Sequence, residues 1–381
     1  MGVVSQRVRI RDLQKVIRYV LTYGPSKTFF KIVGRMRPPR YRFTQAGLRD
    51  VGVLGCGQFA FSTLGHALWK HSGNRFAACY DVDARAADSF AKFYGAQRMG
   101  TAEQVIIGSR VRYVYIMSNH ASHTPYAVCA LQAGKSVYIE KPISVTHTQL
   151  RDLLRTIRAT GGAIYAGYNR PFSRAIRQLR MRCLDTAGPV TLSCFVSGHK
   201  ITAEHWYRDP REGTRICGNL GHWLDLAVHI LSWQEMQDKW HISIAYTSTT
   251  DPDDNISISM TSVRGDLLVF VLTSRSEPFE GINETINFQQ GTILAKIDDF
   301  RLMTVWDGER IWRHRYWPKD VGHVSALVQP FTKFSRDWEE VKLSTLLMLA
   351  IKDMVIARAC ERDFSFCAEE ALLEAAEVVG A

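Results

Sequence analysis

The sequence predicts two layered parts, an α/β domain on a doubly wound parallel sheet and then an α+β domain on a largely antiparallel open sheet. Three observations lead to this prediction: a glycine-containing turn after a short apolar run, strand–helix alternation up to about residue 170, and strand-like segments with short connections beyond it. At 381 residues, the chain is long enough for two hydrophobic cores. We expect a basic extension over residues 1–48, followed by domains over 49–170 and 171–381, with the last helices packing back on the first domain.

The positive charge of the chain is concentrated at its N-terminus. The formal net charge is +11, but residues 1–50 hold twelve Lys and Arg against two Asp, so the remainder is nearly neutral. No motif that interleaves aromatic and basic residues accompanies this charge. We therefore expect no nucleic acid partner.

The extension has the pattern of two short amphipathic helices. Apolar residues recur at helical spacing in each of them: Leu13, Val16, Ile17, Val20 and Leu21, then Phe29, Ile32, Val33 and Met36. The two prolines of "RMRPPRYRF" end the second helix. We favour helices that pack on the body or on a partner subunit, with a basic anchor for an anionic membrane surface as the alternative.

Other features predict a cytoplasmic protein. No run of about 18 apolar residues is present, and the N-terminus lacks the pattern of a secretion signal. The eight cysteines include no C-x-x-C pair, which suits a reducing compartment. The spacing of Cys217, His222 and His229 matches no common metal pattern, so we expect no metal site.

The segment "DVGVLGCGQFAFSTLGHAL" (50–68) predicts a buried strand, a tight turn and a helix. Gly55 and Gly57 permit close approach of the backbone to a pyrophosphate at the helix N-terminus, which begins with Gln58 and Phe59. Ala60 is a small substitute for the third glycine of the usual pattern. These residues predict a dinucleotide-binding Rossmann domain.

An acidic residue ends the next predicted strand, "RFAACYDVD". Asp81 follows Gly57 by about 24 residues, where a carboxylate can bind both hydroxyls of the adenosine ribose and repel a 2′-phosphate. We therefore expect NAD(H) in preference to NADP(H), with Asp83 as the weaker candidate for this role.

The alternation continues through the helix "DARAADSFAKFYGAQ", the strand "RYVYIMS", the helix "HTPYAVCALQAGK" and the strand "SVYIE". The polar segments "SNHASH" and "EKP" follow the ends of the two strands. In parallel sheets, ligands bind at the carboxyl ends of the strands. Both segments should therefore face one crevice, with Lys141 in it.

After residue 170 the pattern changes to successive strands. The predicted strands are "VTLSCFVSG", "NISISMTSV", "DLLVFVLTS", "ETINFQQ", "TILAKID", "RLMTVWD" and "RIWRHRYW". Helices are predicted at 219–232 and 335–380. This order predicts an antiparallel sheet with one apolar face.

The motifs "SNHASHTPYAVCALQAGKSVYIEKPIS", "AGYNRPFSRAIRQLR" and "HWYRDPREGTRICGNLGHWLDL", with the glycine turn and Asp81, resemble those of the Gfo/Idh/MocA oxidoreductases. The resemblance implies that Lys141 hydrogen-bonds a substrate oxygen, that Glu140 orients the nicotinamide or the lysine, and that Pro142 shapes the loop. It implies cofactor contacts for His123, Ser118 and Asn119 as well. The family commonly has Thr-Pro-Asn where this chain has Ser118, Asn119 and His120, so this loop is expected to be arranged differently.

The resemblance also implies a catalytic histidine, for which two registers are open. The preferred one is His222 with Asp225, three residues later on the same helix face. A carboxylate there would fix the tautomer of the imidazole. The alternative register pairs Asp225 with His229.

These features together predict an NAD(H)-dependent oxidoreductase that acts on a sugar, cyclitol or nucleotide sugar and forms a homo-dimer or homo-tetramer. The alternatives are a catalytically silent NAD-binding sensor or scaffold and an NAD-dependent glycosidase. The candidates for substrate contact are Tyr168, Asn169, Arg170, His205, Arg208 and His229.

Overall fold

The structure, a computed structural model, describes residues 2–38, 42–43, 47–248, 250–275 and 281–378. Its helices are α1 (Gly2–Tyr23), α2 (Pro25–Met36), α3 (Gly65–Ser72), α4 (Ala84–Tyr94), α5 (Ala102–Ile106), α6 (His120–Gln132), α7 (His147–Thr160), α8 (Arg174–Arg182), α9 (Gly221–Leu231), α10 (His323–Leu327), α11 (Trp338–Ala357) and α12 (Phe366–Val378). Its strands are β1 (Val51–Leu54), β2 (Phe76–Tyr80), β3 (Gln97–Arg98), β4 (Tyr113–Ile116), β5 (Ser136–Ile139), β6 (Ile164–Ala166), β7 (Val190–Ser197), β8 (Lys239–Tyr246), β9 (Ile256–Ser262), β10 (Leu267–Thr273), β11 (Asn283–Gln290), β12 (Ile293–Asp298), β13 (Leu302–Asp307), β14 (Arg310–Arg315) and β15 (Glu361–Ser365).

The first sheet is parallel and has the strand order β3-β2-β1-β4-β5-β6. All four residues of β1 are buried, as in a strand that has helices on both faces. The chain leaves β1 and β4, which are neighbours, for helices on opposite sides, so a crevice opens where they end. The predicted α/β fold is confirmed.

The second sheet has the order β14-β13-β12-β11-β7-β10-β9-β8-β15. Its described pairs are antiparallel apart from β7 with β10. Burial alternates along β7, because successive side chains point to opposite faces. The buried face packs against α9 and α11 in one apolar core. The prediction of a largely antiparallel second sheet is confirmed.

The region predicted as helical over 335–380 contains two helices, α11 and α12, and an unpredicted strand between them. Helix α11 ends at Ala357, and Arg358 has a positive φ of 57° that turns the chain out of the helix. Residues Glu361–Ser365 then form β15, which pairs with β8 at the sheet edge. This pairing joins segments more than a hundred residues apart, so local apolar spacing does not reveal it.

The two N-terminal helices pack against both parts of the molecule. Phe30 and Val33 of α2 are buried in the core of the first sheet. The Trp317 indole N–H donates to the Leu21 carbonyl at 2.8 Å, and the Lys319 amide donates to the Thr22 carbonyl at 2.8 Å. The extension therefore lies beside the cleft between the two sheets.

Among the described residues, no helix has both the length and the apolar character needed to cross a membrane.

Candidate active site

A cavity of about 690 Å³ lies where the two sheets and the extension meet. Its walls come from the glycine turn, the loops after β4 and β5, helix α9, the second sheet and the N-terminal helices. The residues that line it are Tyr19, Tyr23, Lys27, Lys31, Gly57, Gln58, Phe59, Thr63, Met117, Ser118, His120, His123, Glu140, Lys141, Asn169, Arg170, His199, Trp206, Tyr207, His222, Gly281, Ile282, Glu284, Lys319, Val321 and His323. Most of the residues predicted from the sequence are thus brought together.

The two glycines of the first turn differ in what surrounds them. Gly55 has a φ of +93°, and a Cβ there would lie 2.6 Å from the backbone of Met117 and Ser118. A Cβ on Gly57 would meet no atom within 4 Å. The open space at Gly57 borders the cavity, beside the start of the following helix at Gln58, and is suited to a pyrophosphate.

Asp81 lies at the carboxyl end of β2, next to this turn. Its two carboxylate oxygens accept hydrogen bonds from the amides of Cys56 at 2.6 Å and Asp83 at 2.8 Å. These bonds fix the carboxylate in place and leave lone pairs for ribose hydroxyls. Asp83 is instead the N-cap of α4, where it accepts a bond from the Arg85 amide.

Lys141 enters the cavity from the loop after β5. Its Nζ donates to the Gly218 carbonyl at 2.7 Å, and its amide donates to the Glu140 carboxylate at 2.9 Å. Burial raises the pKa of Glu140 to about 7, against the opposing effect of Lys141. A Cβ on Gly167 would lie 2.1 Å from that carboxylate. Any larger residue at position 167 would therefore clash with the Glu140 side chain. The pair places an ammonium group where substrate oxygen is expected.

His123 connects the two loops that carry the predicted cofactor contacts. Its ring nitrogens lie 2.8 Å from the Pro142 carbonyl and 3.1 Å from the Ser118 carbonyl. The Ser118 and Ser122 hydroxyls are 2.7 Å apart. Burial lowers the pKa of His123, and the bonds to the two carbonyl oxygens oppose this effect. His123 therefore holds the loops in position while its edge lines the cavity.

Asn119, which was expected to contact the cofactor, contacts Glu212 instead. Asn119 donates to the Glu212 carboxylate at 2.7 Å, and the same carboxylate accepts from the Ala121 amide at 3.1 Å. Glu212 thus supplies the negative charge that stabilises the start of α6. Asn119 is committed to this cap and is not among the residues that line the cavity.

His222 is buried at the cavity wall, with 8% of its surface exposed. Its Nδ1 has no hydrogen-bond partner in the described part of the chain. Burial, with Arg170 and Lys141 nearby, holds the pKa of His222 well below its usual value. A neutral imidazole with a vacant nitrogen can accept a proton from a bound hydroxyl.

Asp225 differs from its expected role as the partner of His222. Its carboxylate is completely buried and accepts two bonds from Arg336, at 2.6 and 3.1 Å, and one from Ser344 at 3.0 Å. Because α9 and α11 pack together, the carboxylate pairs with a cation on the neighbouring helix. The expected His222–Asp225 contact is replaced by an interhelical ion pair.

The alternative histidine lies away from the cavity. His229 Nδ1 is 2.8 Å from the Glu340 carboxylate, and its ring packs against Trp233. His229 is two turns further along α9 than His222, so the helix carries it into the core and away from the cleft. Substrate contact by His229 is inconsistent with this position.

Three adjacent residues follow β6. Tyr168 is buried and its ring is 6.1 Å from that of His222. Asn169 donates to the Val321 carbonyl, and Arg170 pairs with Glu284 at 2.7 and 2.9 Å. Both Asn169 and Arg170 line the cavity, and Tyr168 supports the histidine from behind.

His205 and Arg208 are outside the cavity lining. Arg208 is held by the Asp251 and Asp254 carboxylates at 3.0 and 2.9 Å. His205 accepts a bond from the Tyr207 amide and caps a short helical turn. The neighbouring Trp206 and Tyr207 line the cavity in their place.

Among the described residues, five buried polar atoms of cavity-lining side chains have no hydrogen-bond partner: Gln58 Nε2, Asn169 Oδ1, Arg170 Nη1, His222 Nδ1 and His323 Nδ1. Buried polar atoms are normally hydrogen-bonded, so such a group at one cavity is unusual. Gln58 lies at the glycine turn, and the other four lie toward the second sheet.

The described residues include no group of three or more His, Cys, Asp or Glu side chains arranged to hold a metal ion.

Comparison with known proteins identifies the same dinucleotide-binding region. Residues 49–168 match the family described as oxidoreductases with an NAD-binding Rossmann fold, Gfo/Idh/MocA. The chain is 26% identical over 236 residues to an inositol 2-dehydrogenase of Burkholderia ambifaria. The aligned region covers 58% of this chain and 67% of the relative. It is also 26% identical over 176 residues to oxidoreductase P35 of Formosa agariphila, 45% of this chain and 51% of the relative.

Solved structures share the fold across both sheets. GenD2 from gentamicin A biosynthesis, in complex with NAD, is similar with a TM-score of 0.69 at 16% identity, over 86% of this chain and 99% of that one. The UDP-N-acetylglucosamine 3-dehydrogenase GnnA from Acidithiobacillus ferrooxidans has a TM-score of 0.67 at 17% identity, over 81% and 98%. Residues 49–168 of this chain are thus similar to the NAD-binding Rossmann domain of the Gfo/Idh/MocA oxidoreductases, and the fold of both sheets is similar to that of these two solved proteins.

Proposed function

We propose that this protein transfers hydride between NAD(H) and a hydroxyl or keto carbon of a sugar, cyclitol or nucleotide sugar. One observation carries the proposal: the Lys141 ammonium and the buried His222 line one cavity together with the glycine turn. The names of similar proteins, inositol 2-dehydrogenase and UDP-N-acetylglucosamine 3-dehydrogenase, support this class of substrate.

The two side chains have complementary tasks. When bound, NAD⁺ supplies the hydride acceptor. His222 accepts the hydroxyl proton of the substrate on its imidazole ring, because the ring is neutral and lines the cavity. The Lys141 ammonium stabilises the negative charge that develops on the substrate oxygen. Reduction of a keto group follows the same path in reverse.

Asp225 is a positioning residue in this scheme. Its buried ion pair with Arg336 connects α9 to α11, and α9 carries His222. Losing one partner of a buried pair is strongly destabilising, so the pair keeps the helix in register. The carboxylate acts on His222 through the helix and not through the imidazole.

The test compares Lys141→Ala with Lys92→Ala, which removes a lysine from the exposed face of α4. Loss of one charge-stabilising donor is expected to lower turnover by about 10²- to 10³-fold. NADH binding, followed by fluorescence, should persist in both variants. Turnover is measured on myo-inositol, free sugars and nucleotide sugars, and retention of turnover by Lys141→Ala would exclude the proposed role.

We further propose that the chain forms a homo-oligomer through the open face of the second sheet. Four apolar side chains are exposed on this face, on strands β7, β10, β12 and β14: Phe195, Leu267, Leu294 and Ile311. An apolar patch on a sheet face is typical of subunit contact. The exposed Leu13, Ile17 and Leu21 of α1 form a second candidate surface, for a partner subunit or an anionic membrane.

A further inference from the structure

The N-terminal extension contributes directly to the candidate active site. Tyr19, Tyr23, Lys27 and Lys31 line the same cavity as Lys141 and His222. These four residues lie before residue 49, where the match to the family begins. The cleft of this chain therefore has a wall that the dinucleotide-binding region does not supply.

This wall adds positive charge. Among the described residues, neither Lys27 nor Lys31 forms an ion pair with a carboxylate, and Asp320 acts on Lys27 only from a greater distance. Lys27 Nζ lies 4.6 Å from the centre of the Tyr23 ring, and burial, with Lys319 and Lys31 nearby, lowers its pKa to about 8. The ammonium is thus crowded by like charges and is still half-buried. Such an arrangement is costly unless an anion is bound.

The carboxylates near Lys27 already form hydrogen bonds or ion pairs with other residues. Glu284 is bonded by Arg170 and by the Trp223 indole N–H, and Asp299 is paired with Lys319. Asp320 accepts bonds from the Arg174 side chain and amide. Glu140, with a pKa of about 7, is partly protonated near neutral pH. The cavity therefore has an excess of positive charge available to a ligand.

The position of Lys27 separates it from the pyrophosphate of the cofactor. Lys27, Lys31 and Gly34 share one face of α2, and a Cβ on Gly34 would lie 2.9 Å from the Gln58 side chain of the glycine turn. Lys27 is seven residues before Gly34, about 10 Å along the helix. Its electrostatic neighbours Lys319 and His323 follow the second sheet. Lys27 faces the substrate end of the cleft.

We propose that Lys27 binds a negatively charged group of the substrate, so that the physiological substrate is an anionic sugar derivative. The inference rests on the proposed function, because it takes the cavity as the substrate site. A phosphate, a diphosphate or a carboxylate supplies the required charge. A charge-assisted bond to a half-buried ammonium selects such a substrate over a neutral one.

The test measures binding to the NADH-saturated protein by calorimetry, so that it does not depend on turnover. The probes are UDP-glucose, glucose 6-phosphate, glucuronate and glucose, which separate diphosphate, phosphate and carboxylate from a neutral sugar. We expect at least one charged probe to bind more tightly than glucose. Lys27→Met should weaken that binding roughly tenfold or more and leave glucose unchanged, whereas Lys27→Arg should retain it.

Lys92→Met, which removes an exposed charge of the first domain, is the matched control and should bind every probe like the wild type. The inference is overturned if glucose binds as tightly as all charged probes, if no charged probe binds, or if Lys27→Met weakens only NADH. Charged probes that bind through Lys27 without being turned over would instead contradict the proposed function. Turnover of neutral cyclitols alone would contradict the inference and leave the function in place.

Discussion

At the scale of single residues, the neighbours Glu140 and Lys141 differ in the charge state that the site favours. The lysine must remain charged to stabilise a substrate oxygen, and the glutamate is held in a site that disfavours its charge. Burial beneath Gly167 is the main reason for the raised pKa of Glu140, and the Lys141 amide and ammonium oppose it only in part. Holding Glu140 beside Lys141 in this buried position therefore lowers the free energy of unfolding when the glutamate is charged.

We predict that Glu140→Gln stabilises the protein and that the gain depends on pH. The carboxyl has a pKa of 4.5 when unfolded and about 7 when folded, so the native state binds the extra proton between these values. Wild-type stability should fall as pH rises through this window, whereas the amide is unaffected. The variant should gain up to about 3 kcal/mol above pH 7 and nothing below about pH 4.5.

Urea unfolding of both proteins at pH 5, 6, 7 and 8 measures this difference directly. Comparison with the wild type at each pH cancels the contribution of all other titrating groups. A constant difference between the two proteins over this range would show that Glu140 is ionised normally in the folded state.

At the scale of elements, the turn between β1 and the following helix combines two kinds of glycine requirement. Gly55 is required by the backbone, because its φ is positive and its Cα faces the chain after β4 at close range. Gly57 is surrounded by open space on the cavity side. The first glycine is therefore needed for folding, and the second is needed for the ligand.

Two alanine substitutions should separate these requirements. Gly57→Ala should leave the melting temperature nearly unchanged and weaken NADH binding at least tenfold, about 1.4 kcal/mol, because its methyl group enters the pyrophosphate space. Gly55→Ala should lower stability by more than about 1 kcal/mol, because its Cβ meets backbone atoms. Wild-type affinity for NADH in Gly57→Ala would place the cofactor elsewhere.

At the scale of the whole molecule, helices of the described chain cover one face of the second sheet and leave the other face exposed. The outer face carries Phe195, Leu267, Leu294 and Ile311, which are between 39% and 55% exposed. They lie on strands β7, β10, β12 and β14, so exposed apolar side chains are distributed across much of the sheet. Burial of this surface against a second copy would remove it from water.

We predict that the wild-type protein sediments as a dimer or tetramer and that Phe195→Lys dissociates it. A charge in the middle of the interface would be buried without a partner, which is strongly unfavourable. Val263→Lys is the control, because Val263 is 90% exposed in the connection after β9, away from this face. Analytical ultracentrifugation distinguishes the species, and a monomeric wild type would contradict the prediction.

The sequence by itself determined the features that depend on local order along the chain. The strand–turn–helix pattern at Gly55 and Gly57, the acid at Asp81 and the lysine after β5 were all predicted from neighbouring residues, and the two sheets follow from apolar periodicity. Each of these patterns spans only a few residues, so it can be recognised in the sequence without knowing how the chain packs.

Only the tertiary structure decided which distant side chains meet. Asp225 pairs with Arg336, 111 residues away, and so cannot be assigned to His222 by spacing alone. Lys27 reaches the cleft because α2 packs across the helix that follows the glycine turn, although no motif marks it. Contacts of this kind are set by how whole helices and sheets pack, since burial couples residues that the chain keeps far apart.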